Sequence, residues 1–135
     1  MNCLRLLICF SVWIPAWTGL LGEDALPEIR PEQARQYVGQ KVRVTLEVRG
    51  AKHSLHRKTT FLDSERDFRD EKNLGIAISE QGVEALGQSL GFTDAVTFFL
   101  GKSIQVSGTI ELQEGRPYLP VDAVEQIQVV DPALQ

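Results

Sequence analysis

After Cys9 the sequence has no cysteine, and after Trp17 no tryptophan; Cys3, Cys9, Trp13 and Trp17 all lie near the start. The rest of the chain therefore has no disulfide, no thiolate metal site and no cysteine nucleophile. Basic charge is also scarce. Fourteen Lys and Arg stand against 18 Asp and Glu, a formal charge of −4 at pH 7. An acidic chain gains nothing from non-specific counterion release on nucleic acid, so such a role would have to rest on a local basic patch. Catalytic signatures are missing as well. There is no G-x-S-x-G, no phosphate-cradling glycine loop, and no Ser/His/Asp set that the sequence places together.

What is present begins with Arg5, followed by 17 uncharged residues from Leu6 to Gly22 and then by the acidic pair Glu23-Asp24. A basic start, a short apolar stretch and a small-residue exit are the parts of a secretory signal peptide, with Gly22 the expected last residue removed. The alternative is an uncleaved membrane anchor. The stretch is at the low edge of what spans a bilayer, and Pro15 interrupts it. No Cys follows the run, which argues against lipid attachment. Removing the leader, and Arg5 with it, leaves 113 residues with 13 basic against 18 acidic side chains, a formal −5. Such a chain is expected in the periplasm or outside the cell, and it folds on its apolar core alone. The expected organisation is a signal peptide at 1–22, a linker and short helical turn at 23–36, one domain at 37–130 and a tail at 131–135.

Within the domain, hydrophobic periodicity marks the elements. Pro27 and Pro31 discourage regular structure in the linker, and Pro31 suits the first position of a helical turn. From Lys41 to Arg49, Val42, Val44, Leu46 and Val48 alternate with polar residues, the period of a strand with one buried face. Gly50–Lys58 reads as a polar loop, Thr59–Leu62 as a short strand, and Asp63–Asn73 as a charged connection. Leu74, Ile76 and Ile78 alternate again. A helix follows from Ser79 or Glu80, with Val83, Leu86 and Leu90 on one face and Gly91 as its stop. Phe92–Phe99 fits neither period. Ser103–Leu112 is a second long alternating strand, Glu114-Gly115 a hairpin turn, and Arg116–Val121 a return strand. Pro117 and Pro120 cannot donate to a ladder, so that strand is expected at an edge or with a bulge. Val124–Val130 finishes the domain.

The order strand, strand, strand, helix, strand, strand resembles the OB-fold superfamily over about Tyr37 to Val130. An internal echo carries the resemblance: Tyr37-Val38-Gly39-Gln40-Lys41-Val42 is repeated in style by Phe99-Leu100-Gly101-Lys102-Ser103-Ile104. Gly108 within a strand, Gly115-Arg116-Pro117-Tyr118 and Gln126-Ile127 fit the later part of such domains. In particular the chain resembles small exported bacterial OB domains, related in shape to nucleic-acid-binding OB modules. The resemblance implies a mainly β fold: a five-stranded, closed OB-type β-barrel with one helix between strands three and four. It implies fold far more than function, because this fold serves nucleic-acid, oligosaccharide and protein binding alike.

In an OB barrel the loop joining the first two strands borders the usual groove. Here Arg49, Lys52, His53, His56, Arg57 and Lys58 crowd that segment with no acid among them. They form a candidate rim for an anionic ligand, against the plainer reading of a solvated loop. Arg66, Phe68 and Arg69 on the charged connection are expected to border the same face. His53 and His56 form an H-x-x-H pair, but on a loop that spacing does not align two imidazoles, and a third ligand such as Asp63 or Glu65 is not specified. No metal or cofactor is expected. Phe61, Phe68 and Tyr118 are the available stacking aromatics, at least one of them expected in the core. The reading that follows is a non-catalytic binding module for an oligonucleotide or glycan on the face of strands one to three. The alternatives are a domain docking another exported protein and, trailing, a metal-dependent hydrolase.

Overall fold

The structure, a computed structural model, describes residues 26–130; the expected leader and the tail at 131–135 lie outside them. Strand β1 (Glu28–Ile29) pairs in parallel with β2 (Lys41–Glu47), and a 3-10 helix (Pro31–Tyr37) joins them. Ile29 and Ala34 are buried in the core, so the segment read as linker is already part of the domain. The remaining strands are β3 (Gly50–Ser54), β4 (Thr59–Asp63), β5 (Gly75–Ser79), β6 (Ser103–Thr109), β7 (Glu111–Gln113), β8 (Arg116–Val121) and β9 (Ile127–Val130). Two helices, α1 (Glu80–Leu90) and α2 (Ala95–Phe99), stand between β5 and β6, where one was expected. Ser79 caps α1 by accepting from the Gly82 N–H, and Asp94 caps α2 by accepting from Val96. That cap explains how the segment with neither period becomes a short helix.

The hydrogen-bonded ladders form two sheets, β1-β2-β6-β9 and β3-β4-β5-β8-β7, rather than the single closed five-stranded barrel expected. The sheets share two long chain segments that bend and change partners, the usual device at the corners of orthogonal packing. At Val48 the N–H still bonds the Lys102 carbonyl at 2.8 Å, while at Arg49 it bonds Asp63 at 2.9 Å. Gly50–Ser54, read as loop, is therefore strand β3: its pairing with β4 comes from this change of partner, which no alternation of its own residues reveals. The second bend, at Ile110, separates β6 from β7.

The echoed segments are the same turn made twice. Val38 and Leu100 have φ of −57° and −58° and ψ of 131° and 124°, Gly39 and Gly101 have φ of 86° and 88°, and the Gln40 and Lys102 N–H groups bond back to Tyr37 and Phe99 at 2.9 Å. This is a type II turn, whose third residue needs the left-handed region that glycine adopts freely. Each glycine N–H then bonds the far end of the neighbouring long strand, Gly39 to Ile110 and Gly101 to Val48, both at 2.8 Å. The two turns thus set the register of the β2–β6 pair from both ends.

Strand β8 is interior, between β5 and β7, contrary to the edge position its prolines suggested. Glu114 and Gly115 both have positive φ, so the β7–β8 turn is the two-residue I′ type and Gln113–Arg116 is its hydrogen-bonded closing pair. By alternation the Pro117 nitrogen points toward β5, whose ladder starts only at Tyr118. The Pro120 nitrogen points toward β7, beyond that ladder's last pair, Glu111–Tyr118. Neither proline removes a bond the sheet makes.

The core lies between the sheets: Val42, Val44 and Leu46 from β2, Leu62, Ile76 and Ile78 from β4 and β5, Ile104 and Val106 from β6, and Leu119 and Val121 from β8. Leu86 of α1 and Phe99 of α2 cover one end. Where β6 and β8 diverge, the Gln126 amide spans the gap. Its Nε2 donates to the carbonyls of Ser107 (3.1 Å) and Pro120 (3.0 Å), and its Oε1 accepts from the N–H groups of Asp122 and Ala123. Gly108 makes room for it: a Cβ there would stand 2.7 Å from a Leu119 methyl and 3.1 Å from that Nε2.

Candidate binding cleft on the outer sheet face

Alternation along each strand sends half the side chains of the five-stranded sheet away from the core. Register aligns them in two rows, Lys52–Phe61–Ala77–Pro120 and Gly50–Asp63–Gly75–Tyr118–Glu111. To these two rows the middle strand β5 contributes only Gly75 and Ala77, which leaves a trough. Tyr118 leans into it, over Gly75, where any Cβ would overlap its ring. Phe61 and Tyr118 are buried, yet they lie outside the core cluster and meet edge to face at 5.6 Å.

Phe68, from the connection between β4 and β5, forms the next wall. Lys52 Nζ sits 3.7 Å from its ring centroid and the Arg116 guanidinium 5.1 Å, with Arg69 at 5.8 Å on the exposed side. Arg57 reaches Glu114 at 3.2 Å, joining the two hairpin turns at the mouth. The result is a cleft of about 490 Å³ with an aromatic lining and a mainly cationic rim.

At its floor lies Asp63, 5% exposed. Asn73, also buried, holds it: Asn73 Nδ2 donates to Asp63 Oδ1 at 3.1 Å and to the Phe68 carbonyl at 3.3 Å, while its Oδ1 accepts from the Glu65 N–H at 2.9 Å. Ser64 completes the set by accepting from the Leu74 N–H. This network fixes the connection that carries Phe68. Burial pushes the Asp63 carboxyl above the ordinary aspartate value, against the opposing pull of the Asn73 hydrogen bond and the nearby Lys52 charge.

Of the residues singled out in the sequence, Lys52, His53, Arg57 and Phe68 line this cleft. Arg49 and Arg66 line a second hollow beside Glu47, Glu65, Asp67 and Asp70, and Arg49 lies 3.7 Å from both Glu47 and Glu65. Arg69 pairs with Asp67 at 3.1 Å. His56 and Lys58 are exposed on the β3–β4 turn and line neither hollow. His53 Nδ1 lies 3.0 Å from the Thr60 hydroxyl, and among the described residues no three His, Cys, Asp or Glu side chains gather as a metal set. The basic run is thus divided between two hollows and a turn. Arg116 went unnoticed in the sequence; the signal was there, since Arg116, Tyr118 and Pro120 share one face by period two.

No protein-family model matches the chain, and no curated protein matches it in sequence. Solved structures do resemble it. Asparaginyl-tRNA synthetase from Pyrococcus horikoshii aligns with a TM-score of 0.52 and 15% identity, over 78% of this chain and 23% of that one. A putative aspartyl-tRNA synthetase from Leishmania major Friedlin aligns at 0.49 and 13%, over 78% and 21%. The S. pombe Stn1-Ten1 complex aligns at 0.47 and 12%, over 69% and 60%. The fold is of the OB type. The chain spans less than a quarter of the two synthetases, and at 15% identity the likeness to the Pyrococcus horikoshii enzyme is one of fold.

Proposed function

We propose that this domain is a non-catalytic binding module whose ligand is an extended anionic polymer, single-stranded nucleic acid before acidic glycan, lying across the outer face of β3, β4, β5 and β8. The observation that carries the reading is the convergence of Lys52, Arg57 and Arg116 on a cleft walled by Phe61, Phe68 and Tyr118. Phe68, the one ring of the three that is not buried, offers a base a stacking face, which is tolerant of sequence, and cations at the rim take the neighbouring phosphates. The Arg57–Glu114 pair is half-exposed on one side and largely exposed on the other; such pairs are weak, so a phosphate displaces Glu114 readily.

Fluorescence anisotropy of a labelled single strand of about 12 nucleotides, a length suited to one OB domain, tests this. Lys52→Glu combined with Arg116→Glu should weaken binding by at least about tenfold, while Lys58→Glu, outside the cleft, leaves it nearly unchanged. Equal losses from both changes would move the site off the cleft. Binding of acidic glycans in place of single strands changes the polymer but not the site; binding of neither overturns the reading.

A further inference from the structure

The floor of the cleft holds a group that an anion-binding site does not need. Ionised, Asp63 puts negative charge under a cationic rim, where a phosphate cannot settle. A carboxylate accepts hydrogen bonds and, ionised, donates none; it has about four lone-pair positions, and Asn73 uses one of them. Whatever reaches the floor must therefore present N–H or O–H donors, while its own anions stay at the rim.

Resting on the binding reading above, we propose that the cleft selects guanine: the base enters beside Phe68, and its adjacent N1–H and N2–H groups donate to the Asp63 carboxylate. Guanine alone among the four DNA bases offers two neighbouring donors on its pairing edge. Adenine and cytosine set an acceptor beside their amino group, and thymine flanks its single N–H with two carbonyls. Each of those acceptors would face the carboxylate and be repelled. The aromatic walls accept the ring, and Lys52 and Arg116, both beside the Phe68 ring, stand where the flanking phosphates emerge. The buried hydrogen bonds of Asn73 to Asp63 and to the Phe68 carbonyl hold carboxylate and wall in fixed relation, so the recognition geometry exists before the ligand arrives.

The test uses labelled thymidine tracts carrying one central dG, dA, dC, deoxyinosine or 7-deaza-dG, read by anisotropy on the whole domain. The dG strand should bind about tenfold more tightly than the all-T strand, the range of a bidentate base contact. Deoxyinosine, which lacks the N2 amino group, should fall between them, and 7-deaza-dG, changed on the other edge, should match dG. Asp63→Asn offers one acceptor and one donor, and should erase the dG advantage over the all-T strand. Should that variant not fold, the dG-to-inosine comparison on the unaltered protein decides. Tight all-T binding with no dG advantage, or equal dG and inosine affinities, overturns this inference and leaves the binding reading standing. Failure of every strand overturns both.

Discussion

Asp63 shows how one residue acquires an environment that its neighbours in sequence do not announce. Locally it is the end of a short strand before a charged run. Its burial is made by Tyr118, 55 positions later, and by Asn73 across the connection. That is why the carboxylate was legible only as one of several acids, while Lys52, Arg57 and Phe68 could be picked out by type. The burial has a consequence for stability. A carboxyl whose pKa is raised in the fold binds more protons folded than unfolded over the interval between its two pKa values. Its contribution is therefore most favourable below the unfolded value, near 3.8, and is lost as pH rises through the folded value. Ionised, Asp63 is a buried charge in the fold. Asp63→Asn keeps an acceptor for Asn73 and removes that charge, so it should melt higher than the wild type at pH 7. The gap should shrink as pH falls toward 3.8. Parallel thermal melts across that range check this; a variant less stable at pH 7 would mean that Lys52 and Asn73 more than offset the burial.

At the scale of elements, legibility followed periodicity. The long strands β2 and β6 and the helix α1 were written in alternation and three-four spacing, and the turn before each long strand was written in its glycine. Strand β3 was not, because Gly50–Ser54 has no apolar alternation and is a strand only through its partner β4. Strand β8 was seen but misplaced. Its prolines argue for an edge until one knows to which side each nitrogen points. Where β6 and β8 diverge, one side chain bridges the two sheets. Gln126 satisfies two carbonyls and two N–H groups with one amide, the full capacity of that group. Gln126→Ala should lower the unfolding free energy by about 2–3 kcal/mol, two to three net hydrogen bonds. Gln126→Glu should be worse, since it turns an oxygen toward the Ser107 and Pro120 carbonyls. Urea unfolding of the three proteins measures both, and a glutamate variant as stable as wild type would remove Gln126 from the junction.

For the whole molecule, the proposed polyanion would have to be held by a chain of formal charge −4. Its basic side chains are numerous near the site, yet two of them are already engaged: Arg49 with Glu47 and Glu65, and Arg69 with Asp67. What remains for a ligand at the cleft is Lys52, Arg116 and Arg57, the last on displacing Glu114. Counterion release then sets a limit. Three phosphates neutralised on a single strand, at about 0.7 ion each, give a slope of about −2 for log affinity against log salt. Titrations between about 50 and about 200 mM salt should therefore weaken binding roughly 16- to 20-fold, far less than a basic nucleic-acid-binding protein loses. A slope near −5 would recruit Arg49, Arg66, Arg69 and Lys58 and spread the interface across the second hollow and the turn. A slope near zero would leave the aromatic walls as the whole of the affinity and the cationic rim without a function. The intermediate slope is the one outcome consistent with an acidic domain that concentrates its attraction in one cleft and lets the surrounding acids repel polyanions from the rest of its surface.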